Sequence, residues 1–409
     1  VHDKTFRCEY MSSVEPIAVV GGGIGGLAAA LALGRAGNAV NLYEQADAFS
    51  EAGAGIGLGP NAMRVLQEWG LGASLQEAGC APHQLIARHA DNGRIAGQLP
   101  MGQAFIDAYG APYLTVHRAD LQHILFDAVS QQTSATLLTN HHLSGLAIDT
   151  HGVELQFKDK TNKHPAHILI GADGLHSAVR TTLFDNATPV ASGHWAYRAL
   201  LPMYEVPQAF RQMDIGIWMG KRLHVVHYPV RGGEALNLVV LVESHDNTSQ
   251  AGWDVWRSTE QIAADLKQAL HHTCAELQDL IHAANGWRAW CLFDREPLQH
   301  ASQMAKGRVA LLGDAAHPML PYLAQGAGMA IEDAASFAAN WQNASLTAEQ
   351  RLLNYAQARW PRVSRVQQRA RRNGRIFHAD GMLRLARDTV MKLGGARLMD
   401  MPWLYGTSN

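Results

Sequence analysis

The chain has 409 residues, 47% hydrophobic and 17% charged, with 38 glycines and 15 prolines. That length and apolar fraction predict two or three packed lobes and exclude a disordered chain, a small disulfide scaffold and a coiled coil. Lys and Arg total 34 against 36 Asp and Glu, a formal charge of −2, so no global field exists to hold nucleic acid or an anionic membrane.

From Val1 to Glu15 charged and polar residues mix without an apolar run, unlike a secretory signal, and Met11-Ser12-Ser13 reads as a natural start. Ile17-Ala18-Val19-Val20 is a short run without alternation, as in a parallel strand buried on both faces. Gly21-Gly22-Gly23-Ile24-Gly25-Gly26 follows and fits G-x-G-x-x-G. Leu27 to Ala36 then reads as a small-residue helix, and Ala39 to Tyr43 as a second strand ending on Glu44. Gly21 would allow the tight turn, Gly23 the approach of a pyrophosphate and Gly26 close packing of helix on strand. The helix N-terminus would face the pyrophosphate, and Glu44 would accept hydrogen bonds from a ribose diol. This unit predicts a dinucleotide site without deciding between NAD and FAD.

Three later segments follow the same strand-then-turn grammar. His117-Arg118-Ala119-Asp120-Leu121 opens a helix after the apolar stretch 111–116. Residues 168–180 form a buried strand running into Asp173-Gly174 and a helix; residues 308–314 form another, ending on Gly313-Asp314. Gly326-Ala327-Gly328 then precedes a helix carrying Glu332-Asp333. From about 191 to 290 the pattern turns to strands, and Leu223 to Tyr228 with Leu236 to Val242 flank a Gly-rich turn. The period of two places His224, Val226 and Tyr228 on one face and His227 on the other. Arg359, Arg362, Arg365, Arg369 and Arg372 recur at helical steps and read as a solvated face.

Four cysteines, at 8, 80, 274 and 291, are too scattered for a paired-thiolate zinc site and imply free thiols in a reducing compartment. The pairs His141-His142 and His271-His272 have no acid or cysteine at a useful spacing, so no metal is expected.

In this order behind G-x-G-x-x-G, with Gly53-Ala54-Gly55-Ile56-Gly57, the Asp173-Gly174 pair and the Gly313-Asp314 pair, the segments resemble the group A flavoprotein aromatic hydroxylases. The segments RLHVVHYPVRGGEALN, Asp294-Arg295-Glu296-Pro297 and GDAAHPMLPYLAQGAGMAIEDA look most like their 3-hydroxybenzoate 6-hydroxylase subgroup, with salicylate and 6-hydroxynicotinate hydroxylases as relatives. The resemblance implies an α/β fold. A Rossmann-type FAD-binding domain of the glutathione-reductase type (14–190 and 290–345) would carry an inserted, mostly antiparallel substrate domain (191–289) and a C-terminal helical segment (346–409). Residues 81–104 would contribute to the substrate lobe.

The implied cofactor is FAD, with NADH or NADPH and O2 as co-substrates and a phenolic or hydroxylated heteroaromatic acid as substrate, hydroxylated through a C4a-hydroperoxyflavin. Glu44 would hold the adenosine ribose, Arg118 would lie by the pyrophosphate and Asp314 would bind a ribityl hydroxyl. Asp173 and Gly174 would serve FAD and the pyridine nucleotide, while Gly326 and Ala327 would present N–H groups to the flavin. His224 and Tyr228 fall on the subgroup's active-site histidine and tyrosine. The subgroup's polar glutamine falls on Pro321, which offers no donor. A cytoplasmic monomer or homodimer is implied, without a nucleic-acid or membrane partner. A flavin halogenase is disfavoured because Trp253-Asp254-Val255-Trp256 lacks the W-x-W-x-I-P pattern; a non-catalytic flavin sensor is the other alternative.

Overall fold

Four consecutive residues without a polar side chain can be satisfied only inside a sheet covered on both faces, and strand Ile17–Val20 is buried along its whole length. The computed structural model describes residues 15–49, 54–132, 134–158, 160–184, 188–243 and 257–406. In it this strand is central to a six-stranded sheet, in the order Ala305–Lys306, Val309–Leu311, Leu169–Gly171, Ile17–Val20, Val40–Tyr43, Ala135–Leu138. All pairings are parallel except that of the short Ala305–Lys306 edge. Helix Ile24–Arg35 begins three residues earlier than its apolar pattern predicts, directly on Gly23 as N-cap. It packs between helices Arg118–Ser130 and Gly326–Trp341.

A second, seven-stranded sheet runs in the order Arg288–Asp294, Val190–Pro202, Ala235–Glu243, Leu223–Val230, Asp214–Gly220, Gln84–His89, Ile95–Pro100. Every pairing is antiparallel except Asp214–Gly220 with Gln84–His89. The return to the flavin lobe expected at 290 therefore comes later, because residues 288–294 finish an edge strand first. One face of this sheet buries Trp195, Tyr197, Trp218, Val225, Leu238 and Val240 under helices Thr259–Leu270 and Ala275–His282. The other face looks toward the first sheet. Cross-strand partners share a face, so Arg198, Val239, Val226, Ile217 and Ala87 form one continuous row.

Helix Ala348–Phe377 corrects the solvated reading of the arginine stripe at Arg359 and Arg362, while Arg365 and Arg372 are exposed as expected. Arg359 is 5% exposed and bridges Asp333 and Glu332, with Nε to Oδ1 at 2.6 Å and Nη1 to Oε2 at 2.7 Å. Arg362 grips Glu332 at 2.6 Å, and the Arg365 guanidinium lies 4.1 Å from the Trp403 ring centre. The acids that pair with the stripe sit on helix Gly326–Trp341, where spacing along the stripe's own helix could not reveal them. No helix among the described residues is long and apolar enough to cross a membrane. Cys80, Cys274 and Cys291 form no disulfide among the described residues; Cys8, Met11, Gly53 and Trp253 to Trp256 lie outside the described residues.

Candidate active site

The first strand ends in a turn that only glycine tolerates. Gly21 has φ of +109°, and a Cβ there would stand 2.3 Å from the Ala172 carbonyl oxygen. A Cβ on Gly26 would meet the Gly21 carbonyl oxygen at 1.8 Å, so helix and turn are in direct backbone contact. Glu44, at the end of the second strand, accepts hydrogen bonds from the Gly22 N–H at 2.6 Å and the Ala46 N–H at 2.8 Å. Its carboxylate thus locks the glycine turn and keeps only its remaining lone pairs for a ribose. Neither Gly23 nor Gln325, the N-caps of helices Ile24–Arg35 and Gly326–Trp341, caps its helix with a side chain. Two helix N-termini therefore have their first-turn N–H groups available to an anion.

Asp173 turns away from the cavity described below. Its Oδ2 accepts from the Val179 N–H at 3.1 Å, at the start of helix Ala178–Leu183, and burial pushes its carboxyl above the usual range. Its buried Oδ1 has no hydrogen-bond partner and remains an acceptor. Gly174 beside it has φ of +77°.

A cavity of about 680 Å³ lies between the two sheets, within the ~300–1,000 Å³ of small-molecule sites. Among the predicted residues it gathers Arg118, His224, Tyr228, Asp314, Gly326 and Ala327, with Pro321 at the same wall. Gly21, Gly23, Gly26, Glu44, Asp173 and Gly174 stand apart from it, at the glycine turn and beside strand Leu169–Gly171. Together the two groups trace an elongated path from the first strand to the antiparallel sheet. The uncapped helix N-termini, the packed glycine turn and the open carboxylate acceptors fit a flavin dinucleotide laid along that path.

The floor is apolar, with Ile215, Ile217, Val226, Val239 and Leu241, and its polar groups are few. His224 is 3% exposed, its Nδ1 has no hydrogen-bond partner, and its ring stacks on Phe377 at 4.7 Å. Burial, reinforced by nearby His378, holds its pKa well below the usual 6.5, so the imidazole is neutral at neutral pH. Burial raises the Tyr113 hydroxyl to about 12 and pushes Tyr228 further up, aided by Tyr113, so both phenols remain protonated donors. His227 faces the opposite core, edge-on to Phe210 at 5.1 Å, as the strand period requires.

Sequence reasoning missed four cavity or wall residues. Arg198 lines the cavity with an unpartnered Nε; a charged residue inside the strand run 195–201 was its one available signal. Tyr113 and Tyr322 come from loops without a motif. Asn237, fully buried, accepts at Oδ1 from the Gly55 N–H at 2.7 Å and ties the substrate sheet to the Gly55–Leu58 strand. Of the histidine pairs, His271 and His272 are exposed and His141 bonds the Thr139 carbonyl.

Substituting Gly26 with alanine should force the first helix off its strand. Overpacking costs roughly 1–3 kcal/mol, which would weaken FAD retention by about 5–150-fold. The variant should elute colourless from gel filtration and regain yellow colour only in excess FAD. Full flavin occupancy in the purified variant would show that this contact does not shape the site.

Fold and site define a flavin-dependent oxidoreductase class. A family model described as FAD binding domain matches residues 15–370. The chain is 36% identical over 393 residues to 3-hydroxybenzoate 6-hydroxylase of Polaromonas naphthalenivorans (strain CJ2), covering 96% of each. It is 38% identical over 334 residues to 6-hydroxynicotinate 3-monooxygenase of Pseudomonas fluorescens, covering 80% of this chain and 83% of that one. Among solved structures, Klebsiella pneumoniae HpxO complexed with FAD and uric acid superposes with a TM-score of 0.81 at 26% identity, covering 94% of each chain. The chain belongs to the FAD binding domain family as one of its group A hydroxylases, an FAD-dependent aromatic monooxygenase.

Proposed function

We propose that the enzyme hydroxylates a phenolic aromatic acid of the 3-hydroxybenzoate or salicylate kind, using NADH or NADPH and O2. The observation that carries this reading is the set of one half-buried cation, one neutral imidazole and one protonated phenol on a single face of the sheet that walls the cavity. Bound FAD supplies the chemistry that takes hydride from the nicotinamide and activates oxygen for transfer to the ring. The chain's own residues do the rest. Gly326 and Ala327 present a helix N-terminus to the negative charge of the reduced ring system. Neutral His224 accepts the phenol proton at an imidazole nitrogen, making the ring electron-rich. Tyr228 donates a hydrogen bond that orients the substrate, and Arg198 faces its carboxylate. The apolar floor excludes water.

A hydroxylated N-heteroaromatic acid is the second reading, favoured by the similarity to the 6-hydroxynicotinate enzyme. Glu44, Arg118, Asp173, Gly174 and Asp314 serve the dinucleotide along its length, Asp173 through the oxygen not used on its own helix. Cys80 and Cys274, both free, support a reducing, cytoplasmic setting; the proposed state is a monomer or homodimer.

The test is a panel of aromatic and heteroaromatic acids, and their carboxamides, scored for nicotinamide oxidation and for product by mass spectrometry. Phenolic acids should give coupled turnover. Arg198→Gln should raise KM for the acids by roughly 10–150-fold, the loss of a charge-assisted hydrogen bond, and leave carboxamides nearly unaffected. Turnover with non-aromatic compounds alone would overturn the reading.

A further inference from the structure

Behind the cavity wall, three side chains from distant segments meet. His194 and Glu243 are cross-strand partners on strands Val190–Pro202 and Ala235–Glu243, and His378 is the C-cap of helix Ala348–Phe377. One nitrogen or oxygen from each lies within 4.8 Å of the other two. The His378 side chain is 1% exposed, and neither of its ring nitrogens has a hydrogen-bond partner. Its Nδ1 approaches Glu243 Oε1 at 3.4 Å without hydrogen-bond geometry. A buried imidazole with unsatisfied nitrogens is costly, and an ion bound between the three groups would satisfy one of them.

The surroundings are those of a metal site with outer partners. His194 Nδ1 bonds the Tyr322 hydroxyl, and Glu243 Oε2 accepts from Arg222 Nε at 3.1 Å, so two of the three groups are oriented by neighbours. A second cavity, of about 600 Å³ and lined by His194, Glu243 and Tyr322, gives an ion an entry path separate from the substrate cavity.

We propose that His194, Glu243 and His378 form a zinc site of two imidazoles and one carboxylate, with a fourth position open to water from the second cavity. This set matches the ligand types and number of open zinc sites. Tetrahedral coordination at ~2.0–2.2 Å would draw the ligand atoms to roughly 3.3 Å of one another, a contraction of about 1.5 Å from the present spread. The ion would stand beyond Tyr322, which lines both cavities, and would stiffen the wall on which His224 rests.

The experiment uses tag-free, FAD-loaded protein stripped with chelator, titrated calorimetrically with zinc chloride and analysed for bound metal after desalting. One zinc per chain is expected, with an anomalous-scattering peak between the three side chains in crystals. Glu243→Gln should weaken binding by more than the ~10–100-fold that loss of an outer partner costs. His378→Asn should do the same; if it does not fold, Glu243→Gln, which keeps the side-chain shape, decides. No retained zinc, a peak elsewhere, or unchanged affinity in folded Glu243→Gln would overturn the proposal. None of these outcomes depends on which aromatic acid the enzyme hydroxylates.

Discussion

Replacing His224 with alanine is expected to lower product formation by about 10²–10⁴-fold, the usual worth of a positioned general base. Nicotinamide oxidation should continue, with oxygen released as hydrogen peroxide rather than delivered to the ring. The reasoning runs through desolvation. His224 is neutral because an imidazolium is poorly solvated in a site 3% exposed, and its Nδ1 has no partner within the protein. In the proposed role, a phenol placed against this wall finds an acceptor there and passes its proton to it. The sign of the pH dependence follows. The base is competent when unprotonated, so activity is present above its pKa and lost as pH falls through it. Because burial depresses that pKa, the acid limb of kcat/KM should lie below 6.5, the ordinary histidine value. In the alanine variant, phenols already ionised at neutral pH should recover the most, since they need no base. Hydroxylation that stays coupled in the variant, or an acid limb at or above the ordinary value, would remove His224 from this role.

Arg359→Met should cost about 3–5 kcal/mol, the penalty for stranding buried charge, and lower the melting temperature of a chain this long by roughly 3–6 °C. Burial pushes the Asp333 carboxyl up, yet His317 and Arg359 together hold it at about 2. Asp333 Oδ2 also accepts from the Gly313 N–H at 3.1 Å and contacts His317 Nε2 at 2.5 Å. Glu332, on the same helix, accepts from Asn61 at 2.6 Å and from Arg362. One guanidinium therefore fixes the helix that begins at Gly326 and the turn that carries Asp314. Methionine fills much of the volume and leaves Asp333 with His317 as its remaining cationic partner beside the Gly313 N–H, so the variant should lose FAD affinity along with stability. Calorimetric melting and flavin fluorescence on dilution measure the two losses. A change under 1 kcal/mol would mean that solvent reaches the site and replaces the cation.

The contrast between His224 and Arg359 shows what one-dimensional patterns carry. The glycine turn, its strands and Glu44 lie within one short segment, and the period of two is enough to put His224 and Tyr228 on one face. Such information is local and survives in the sequence. Arg359 was misread because its partners lie 26 and 27 residues away on a different helix, although each helix alone shows only an ordinary charge pattern. Arg198 carried a weaker local signal, a cation in a buried strand. The meeting of His194, Glu243 and His378 had none, because it depends on strand register and on where a 30-residue helix ends. Spacing rules for metal ligands assume one loop or one helix, and this cluster uses neither. The hairpin of strands Gln84–His89 and Ile95–Pro100 is likewise invisible locally, since its first strand joins the sheet by pairing in parallel with Asp214–Gly220 across a long stretch of chain.

The order of strands in the six-stranded sheet bears on how the enzyme is made. Strand Leu169–Gly171 pairs on one side with Ile17–Val20 and on the other with Val309–Leu311, and the whole antiparallel sheet is spelled out between them. A nascent chain can assemble its first βαβ turn early. It cannot close the sheet until the ribosome has passed Leu311, and the helix at Gly326 comes later still. Contacts of such sequence separation form slowly and leave apolar strand edges open in the interval. A flavin held by both the first turn and the last helix would stabilise the closed sheet by mass action. Flavin supplied during synthesis is therefore expected to raise the soluble yield, which expression with and without added flavin would measure.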